Sequence, residues 1–234
     1  MFTNEDILRV ALEQSAIDSN CNWEDFLKKD NVIVTSVANP SARRYLKLPH
    51  VCDLTTYGNN IVATISEEYR DIVEKYISKY AVEHCFETPN MHVLNDAFRP
   101  HGLGVCFMAE YFLPDMDVLK PLPCKLETKV LEQPDFADLY KPEWSNALCE
   151  DRKHEKRQNT LKEKGMSLYD NGKLVGLAAC SADGDTMWQI GIDVLPGCRR
   201  QGIASALTSK LAIEILERGK VPFYCCAWSN IKSA

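Results

Sequence analysis

The sequence has no apolar run that approaches the length of a membrane span, and its first residues, MFTNEDILRVALEQSA, carry acids where a secretory leader carries bases. Neither a membrane span nor a signal peptide is expected, and the chain reads as cytoplasmic. An excess of positive charge is also missing. Its 27 Lys and Arg against 33 Asp and Glu give a net charge of −6 at pH 7, which argues against nucleic acid or an anionic membrane as partner. There are ten cysteines but no Cys-x-x-Cys pair. Spread through a long chain without a leader, they are expected to be reduced thiols rather than a disulfide scaffold. Cys225 and Cys226, adjacent on a predicted strand, point to opposite faces and cannot bridge each other. His50, His84, His92, His101 and His154 are scattered, and Cys149 with His154 has no further ligand at a useful spacing, so no metal site is expected. Nucleotide-binding glycine patterns are lacking too: there is no Gly-Lys-Ser/Thr, and Gly102 and Gly104 in HGLGVCFMAEYFL are too few for a dinucleotide fingerprint. VCFMAEYFL reads instead as a buried strand.

What remains is an ordinary globular composition, 45% hydrophobic and 26% charged, over 234 residues, enough for one large or two ordinary domains. Asn4 is a candidate N-cap for a short amphipathic helix with Ile7, Val10, Ala11, Gln14 and Ser15 on one face. NVIVTSVA and NNIVATIS are β-branched runs bounded by Asn, Gly and Pro, and SEEYRDIVEKYISKYA repeats apolar residues at helical spacing. This alternation predicts a smaller α/β unit of unassigned role over 1–123. Arg43 and Arg44 are expected in a solvated turn. Pro114, Pro121 and Pro123 discourage helix and sheet alike and place a boundary there, with a second domain over 124–234. In that second part, MSLYDNGKLVGLAACSAD supplies two alternating runs joined by Asp170, Asn171 and Gly172, a hairpin signal.

The densest stretch is TMWQIGIDVLPGCRRQGIASALTSKLAIEIL, from Thr186 to Leu216. Trp188, Ile190, Ile192 and Val194 alternate with Gln189, Gly191 and Asp193, the period of a strand with one face buried. Pro196 and Gly197 end it. Ile203, Leu207, Leu211 and Ile215 then recur every fourth residue, a helix that stops near Arg218 and Gly219. A helix start offers unpaired N–H groups and the positive end of the macrodipole, so an anion finds donors aimed at it. Gly202 and Ala204 keep side chains out of the way, and Arg199 and Arg200 add charge that meets phosphate oxygens in bidentate pairs.

This constellation resembles the GNAT superfamily of acyl-CoA-dependent N-acetyltransferases, whose (Gln/Arg)-x-x-Gly-x-(Gly/Ala) signature is matched by Arg199, Gly202 and Ala204. LVGLAACSAD, TMWQIGIDV, the helix from Gly202, VPFYCCAW and Asn230 are similar, in order, to two strands, a helix, a further strand and the cofactor-side Asn of that fold. The resemblance covers about Leu126 to Ala234. It implies a mixed-sheet α/β domain behind the smaller α/β N-terminal one, in which the strands ending at Val194 and Trp228 are parallel neighbours. It also implies that the CoA pyrophosphate lies on Arg199, Arg200, Gln201, Gly202, Ile203, Ala204 and Ser205, that the pantetheine arm meets the main chain of Ile192, Val194 and Leu195, and that Asn230 binds cofactor.

The activity implied is direct transfer of an acetyl group from acetyl-CoA to a primary amine, small molecule or peptide. The alternative is an acyl-CoA-binding or sensor protein without turnover, and a third reading is a fold that serves only assembly. In the resembled family the helices after the first strand line the acceptor groove, so Glu143, Trp144, Glu150 and Asp151 are candidates to receive a cationic amine through charge and cation–π contact. Transfer needs a neutral amine, a polarised thioester carbonyl and a protonated leaving thiolate. A strand N–H near Val194 is placed to polarise the carbonyl, and Asp193 beside it is the candidate base. The acid has no counterpart, because the family's tyrosine follows the Asn and the sequence ends at Ala234, while Tyr169 and Tyr224 lie on earlier strands. A segment beyond Ala234 that would cover the strand ending at Trp228 is expected; the alternatives are completion of the site by another chain, as in a homodimer, or an inactive site.

Overall fold

The structure, a computed structural model, describes residues 2–148 and 162–231. The chain forms two compact units, Leu12–Met108 and Met1–Ala11 with Ala109–Ala234.

In the first unit, β1 (Val32–Thr35), β2 (Cys52–Thr55) and β3 (Val62–Ile65) form a sheet ordered β1-β3-β2, parallel between β1 and β3 and antiparallel between β2 and β3. The VATI run of β3 is buried throughout, as a central strand covered on both faces should be. Ala63 and Ile65 pack with Val73, Tyr76 and Ile77 of α2 (Arg70–Ile77) and with Leu94 and Phe98 of α3 (Thr88–Phe98). Val62 packs with Phe26 and with Leu12 and Ala16 of α1 (Asn4–Ser19). VCDLTT and TPNMHVLNDAF, which supply β2 and α3, carry weak periodicity and were not singled out by pattern.

Two local expectations are corrected here. Thr3, rather than Asn4, caps α1: its Oγ1 accepts the Asp6 N–H at 3.1 Å while the Asp6 carboxylate accepts the Thr3 N–H at 2.8 Å. Asn4 instead donates to Asp115 and Asp117 and accepts the Met116 N–H. Arg43 is buried rather than solvated, its Nη1 2.7 Å from the Asp18 carboxylate, which also accepts from Gln14 and from the Arg43 N–H. A buried charge needs such partners. Burial pushes the Asp18 carboxyl up from its ordinary value against the pull of Arg43.

The second unit is a six-stranded mixed sheet of β4 (Ala109–Phe112), β5 (Glu127–Glu132), β6 (Lys162–Asp170), β7 (Lys173–Ser181), β8 (Met187–Val194) and β9 (Val221–Ala227), ordered β4-β9-β8-β7-β6-β5. β8 and β9 are parallel, and every other pair is antiparallel. The α/β mixed sheet of the expected fold class is present, with α4 (Ile203–Glu217) as the crossover that parallel pairing requires. The β6–β7 hairpin turns at Asn171 and Gly172, both at positive φ, with Asp170 opposite Lys173.

α4 covers one face of this sheet. Its Ile203, Leu207, Leu211 and Ile215 pack on Ala178 and Cys180 of β7 and Trp188 and Ile190 of β8. It sits close at Gly176, where a Cβ would lie 2.7 Å from an Ile203 methyl. Arg218 clamps Glu132 at 2.9 Å, and Lys210 donates to Thr128 at 3.0 Å, holding β5 to the helix. On the opposite face Leu177 and Ala179 pack with Leu131, Phe136, Trp144, Ala147 and Leu148.

The compact units differ from a division at 123. β4 runs along β9 from Ala109↔Ala227 to Phe112↔Tyr224, and the Leu122 N–H donates to Ser209 of α4 at 3.0 Å, so the proline-rich connection lies inside the second unit. VCFMAEYFL is thus a four-residue edge strand with Tyr111 49% and Phe112 39% exposed, not a buried one. The strand leading to Trp228 is correspondingly not an open edge, because β4 covers it.

Candidate active site

Parallel pairing of β8 and β9 runs from Met187↔Val221 to Ile190↔Tyr224 and stops, although β8 continues to Val194 and β9 to Ala227. Beyond that pair the strands part. The Leu195 N–H donates to Val175 O at 2.9 Å, which sets the phase of β8: its odd-numbered backbone groups face β7, and those of Ile190, Ile192 and Val194 face β9. Ile192 and Val194 therefore turn peptide groups into the opening. Leu195 does not, because its N–H belongs to the sheet. The Val194 carbonyl accepts the Arg199 Nε–H at 2.9 Å, which folds the corner back over the strand end.

At that corner Pro196–Cys198 forms one tight turn, closed by the Cys198 N–H on Leu195 O at 2.8 Å. Arg199 is extended, Arg200 has φ +65° and Gly202 φ +76°. A left-handed arginine is uncommon, and alternation of this kind turns successive N–H groups toward one concavity that suits an anion. Gly202 is the N-cap of α4 and offers no side-chain cap, so the first-turn donors face outward under the positive helix end. Arg199, Arg200, Gln201, Gly202, Ala204 and Ser205 are all exposed around them. Ile203 is buried against Gly176 and contributes backbone alone.

The other face of β8 carries a different feature. Asp193, expected as a base, accepts the Asn146 N–H at 2.8 Å, the Asn146 Nδ2–H at 2.6 Å and the Ala147 N–H at 2.8 Å. A carboxylate held by three donors anchors the segment that supplies them. Gly191 makes the anchoring close, since a Cβ there would lie 2.1 Å from Asn146 O. Trp144, expected to meet a cationic amine, is 3% exposed and belongs to the core under this segment. Its large apolar ring is worth more buried than presented to solvent. Glu143 is exposed. Glu150 and Asp151, like Cys149 and His154, lie outside the described residues.

The family model for GNAT acetyltransferase matches residues 53–234, most of the chain. The chain belongs to the GNAT acetyltransferase family. The match takes in the whole second half and reaches back into β2. No curated protein matches the chain significantly. Among solved structures it is similar to a GNAT-family protein from Novosphingobium aromaticivorans (14% identity, TM-score 0.40), covering 53% of each chain. It is similar to a GCN5-related N-acetyltransferase-like protein from Streptococcus suis at 17% identity and TM-score 0.41, covering 75% of this chain and 63% of that one. It is also similar to a GNAT-family acetyltransferase from Colwellia psychrerythraea at 13% identity and TM-score 0.42, covering 80% and 75%. The chain thus spans about half the length of the first of these structures and under two thirds of the second.

The family's signature positions, Arg199, Gly202 and Ala204, stand together at the corner. Asn230 follows β9 in an exposed turn, its N–H on Ala227 O at 2.8 Å. Tyr224 stands at the last β8–β9 pair, half-buried against the α4 side of the sheet, and Tyr169 lies on β6. Burial, and then Glu110 opposite it on β4, pushes the Cys226 thiol up, which disfavours thiolate chemistry there. Pattern reading missed Asn146. Its signal is Gly191, an isolated glycine inside a strand, which marks a close backbone approach. Among the described residues no group of three His, Cys, Asp or Glu side chains could hold a metal ion, and no helix is long and apolar enough to cross a membrane.

Proposed function

We propose that the protein is an N-acetyltransferase that moves an acetyl group from acetyl-CoA to a primary amine by direct transfer, with the second unit carrying the chemistry and the role of the first unassigned. The observation that carries this reading is the parting of β8 from β9 beyond Ile190↔Tyr224, directly beneath a phosphate-suited corner. The family membership supports it. Arg199, Arg200, Gln201, Gly202, Ile203, Ala204 and Ser205 hold the pyrophosphate, by side chain at the arginines and by N–H at the helix start. The pantetheine amides pair with the main chain of Ile192 and with the second lone pair of the Val194 carbonyl, and Asn230 stands on the cofactor side. The Val194 N–H faces the opening and polarises the thioester carbonyl as negative charge develops on its oxygen.

The amine nitrogen attacks the carbonyl carbon, the C–N bond forms, the C–S bond breaks, and the nitrogen's proton leaves while the thiolate takes one. Water serves both transfers, since Asp193 is committed elsewhere. The donor is acetyl-CoA, the acceptor a small-molecule or peptide amine, the compartment the cytoplasm, and a homodimer is consistent with the site. That commitment of Asp193 is also what favours the second reading, an acyl-CoA sensor without turnover. Thermal shift with acetyl-CoA tests binding, and free-thiol release with an amine panel tests turnover. A shift with no release from any amine selects the sensor; no shift removes both.

A further inference from the structure

The three bonds on Asp193 fix more than a loop. A carboxylate only accepts, so the Asn146 amide must turn its NH2 group to Asp193, at 2.6 Å, and its oxygen away. Asn146 is exposed, so that oxygen is presented outward with a set polarity. Its backbone lies on Gly191, and Gly191 to Asp193 is the stretch of β8 that has already parted from β9. α4 covers the opposite face of the sheet, and the corner from which a donor would enter stands at the start of α4. An acyl carbon lying in the opening is therefore open to a second reactant from the Asn146 side.

We propose that Asn146 receives the acceptor amine through its Oδ1, and that Asp193 is the positioning residue that aims it. The proposal rests on the acetyl-transfer reading above. One N–H of the neutral amine donates to Oδ1, which leaves the nitrogen lone pair directed at the carbonyl carbon. As the C–N bond forms the nitrogen becomes positive and its N–H a stronger donor, so the contact tightens toward the transition state. An amide is no base. The proton passes on to water and the departing thiolate takes one from water, which keeps the balance.

The test measures transfer from acetyl-CoA to spermidine, L-lysine amide and a tripeptide with a free N-terminus, beside calorimetric affinity for acetyl-CoA. Asn146→Ala keeps both backbone N–H bonds to Asp193. It should lower kcat/KM for the amines about ten- to a hundredfold while acetyl-CoA affinity stays within about twofold. Asp193→Asn should lower it in the same direction and leave the limbs of the pH–rate profile in place. Unchanged kcat/KM for all three amines in Asn146→Ala, with wild-type transfer intact, overturns the proposal and spares the transfer reading. Loss of a pH limb in Asp193→Asn makes Asp193 a base and overturns its positioning role. A wild-type protein that acetylates none of the probes removes the transfer reading and this inference together.

Discussion

Replacing Gly202 with alanine, and then with valine, separates backbone from ligand. A Cβ at Gly202 would meet nothing within 4 Å, so crowding inside the protein plays no part. What matters is φ +76°. At an ordinary negative φ, Gly→Ala stabilises by about 0.4–1 kcal/mol by restricting the unfolded chain. In the left-handed region the same methyl costs about 1–2 kcal/mol, and a β-branched side chain more. The two cases differ in sign, so the melting temperature of the apoprotein decides between them; for a chain of this size the expected fall is roughly 2–8 °C. Ligand binding gives the second reading. At a concentration of acetyl-CoA one hundred times Kd, binding adds about 2.7 kcal/mol, and a hundredfold weaker variant at the same concentration keeps only about 0.4 kcal/mol. Gly202→Val should therefore lose most of its acetyl-CoA thermal shift while circular dichroism still shows a folded protein. A higher apoprotein melting temperature would refute the left-handed cap. An intact shift in folded Gly202→Val would refute the phosphate corner and the transfer reading with it.

Arg200→Ala should weaken acetyl-CoA by roughly 1.5–3 kcal/mol, about ten- to a hundredfold, and by less at high salt, in calorimetric titrations at two ionic strengths. Arg200→Gly removes the same charge while freeing the φ +65° position, so its affinity should match Arg200→Ala with a higher melting temperature; equal melting temperatures would deny the strain. Gly191→Ala must push the Asn146 backbone off β8 and should destabilise by about 1–3 kcal/mol in denaturant titration, and a neutral result would mean that the segment yields freely. Burial pushes Cys21 and Cys52 up to about 12 and Cys85 up to about 11, from an ordinary 9.0. Folded values above the unfolded one favour the folded state fully below pH 9 and lose that contribution as pH rises toward 11 to 12. The first unit should therefore weaken in alkali, and iodoacetamide at pH 8 should reach exposed Cys106 well before buried Cys85 and half-buried Cys21 and Cys52; simultaneous labelling would contradict their raised thiols.

The second unit was legible because its elements carry clean periods. Ile203, Leu207, Leu211 and Ile215 announce α4, and Asn171 with Gly172 announces the hairpin, both being local signals that tertiary contacts only reinforce. The corner was legible because glycine and arginine there serve the backbone and the charge rather than a core. β4 was not. AEYF looks buried in isolation, and its edge position depends on a partner far along the chain. Asp193 and Trp144 failed for a related reason: a carboxylate on a strand and an indole on a short helix look available until the segment around Asn146 is laid across Gly191. Arg43 shows the same blindness, since nothing in RRY announces that Asp18 lies waiting for it.

β4 also sets a timetable. Its partner strand β9 emerges from synthesis roughly 110 residues later, which at about 5–20 residues per second leaves Tyr111 and Phe112 without their ladder for on the order of ten seconds. The first unit, whose strands and helices all precede β4, can fold in that interval, while the second unit cannot close its sheet until β9 has emerged. A strand carrying Tyr111 and Phe112 and held open so long is exposed to misassembly, and slowing the ribosome between Phe112 and Val221 should lower the yield of folded protein more than slowing it anywhere earlier.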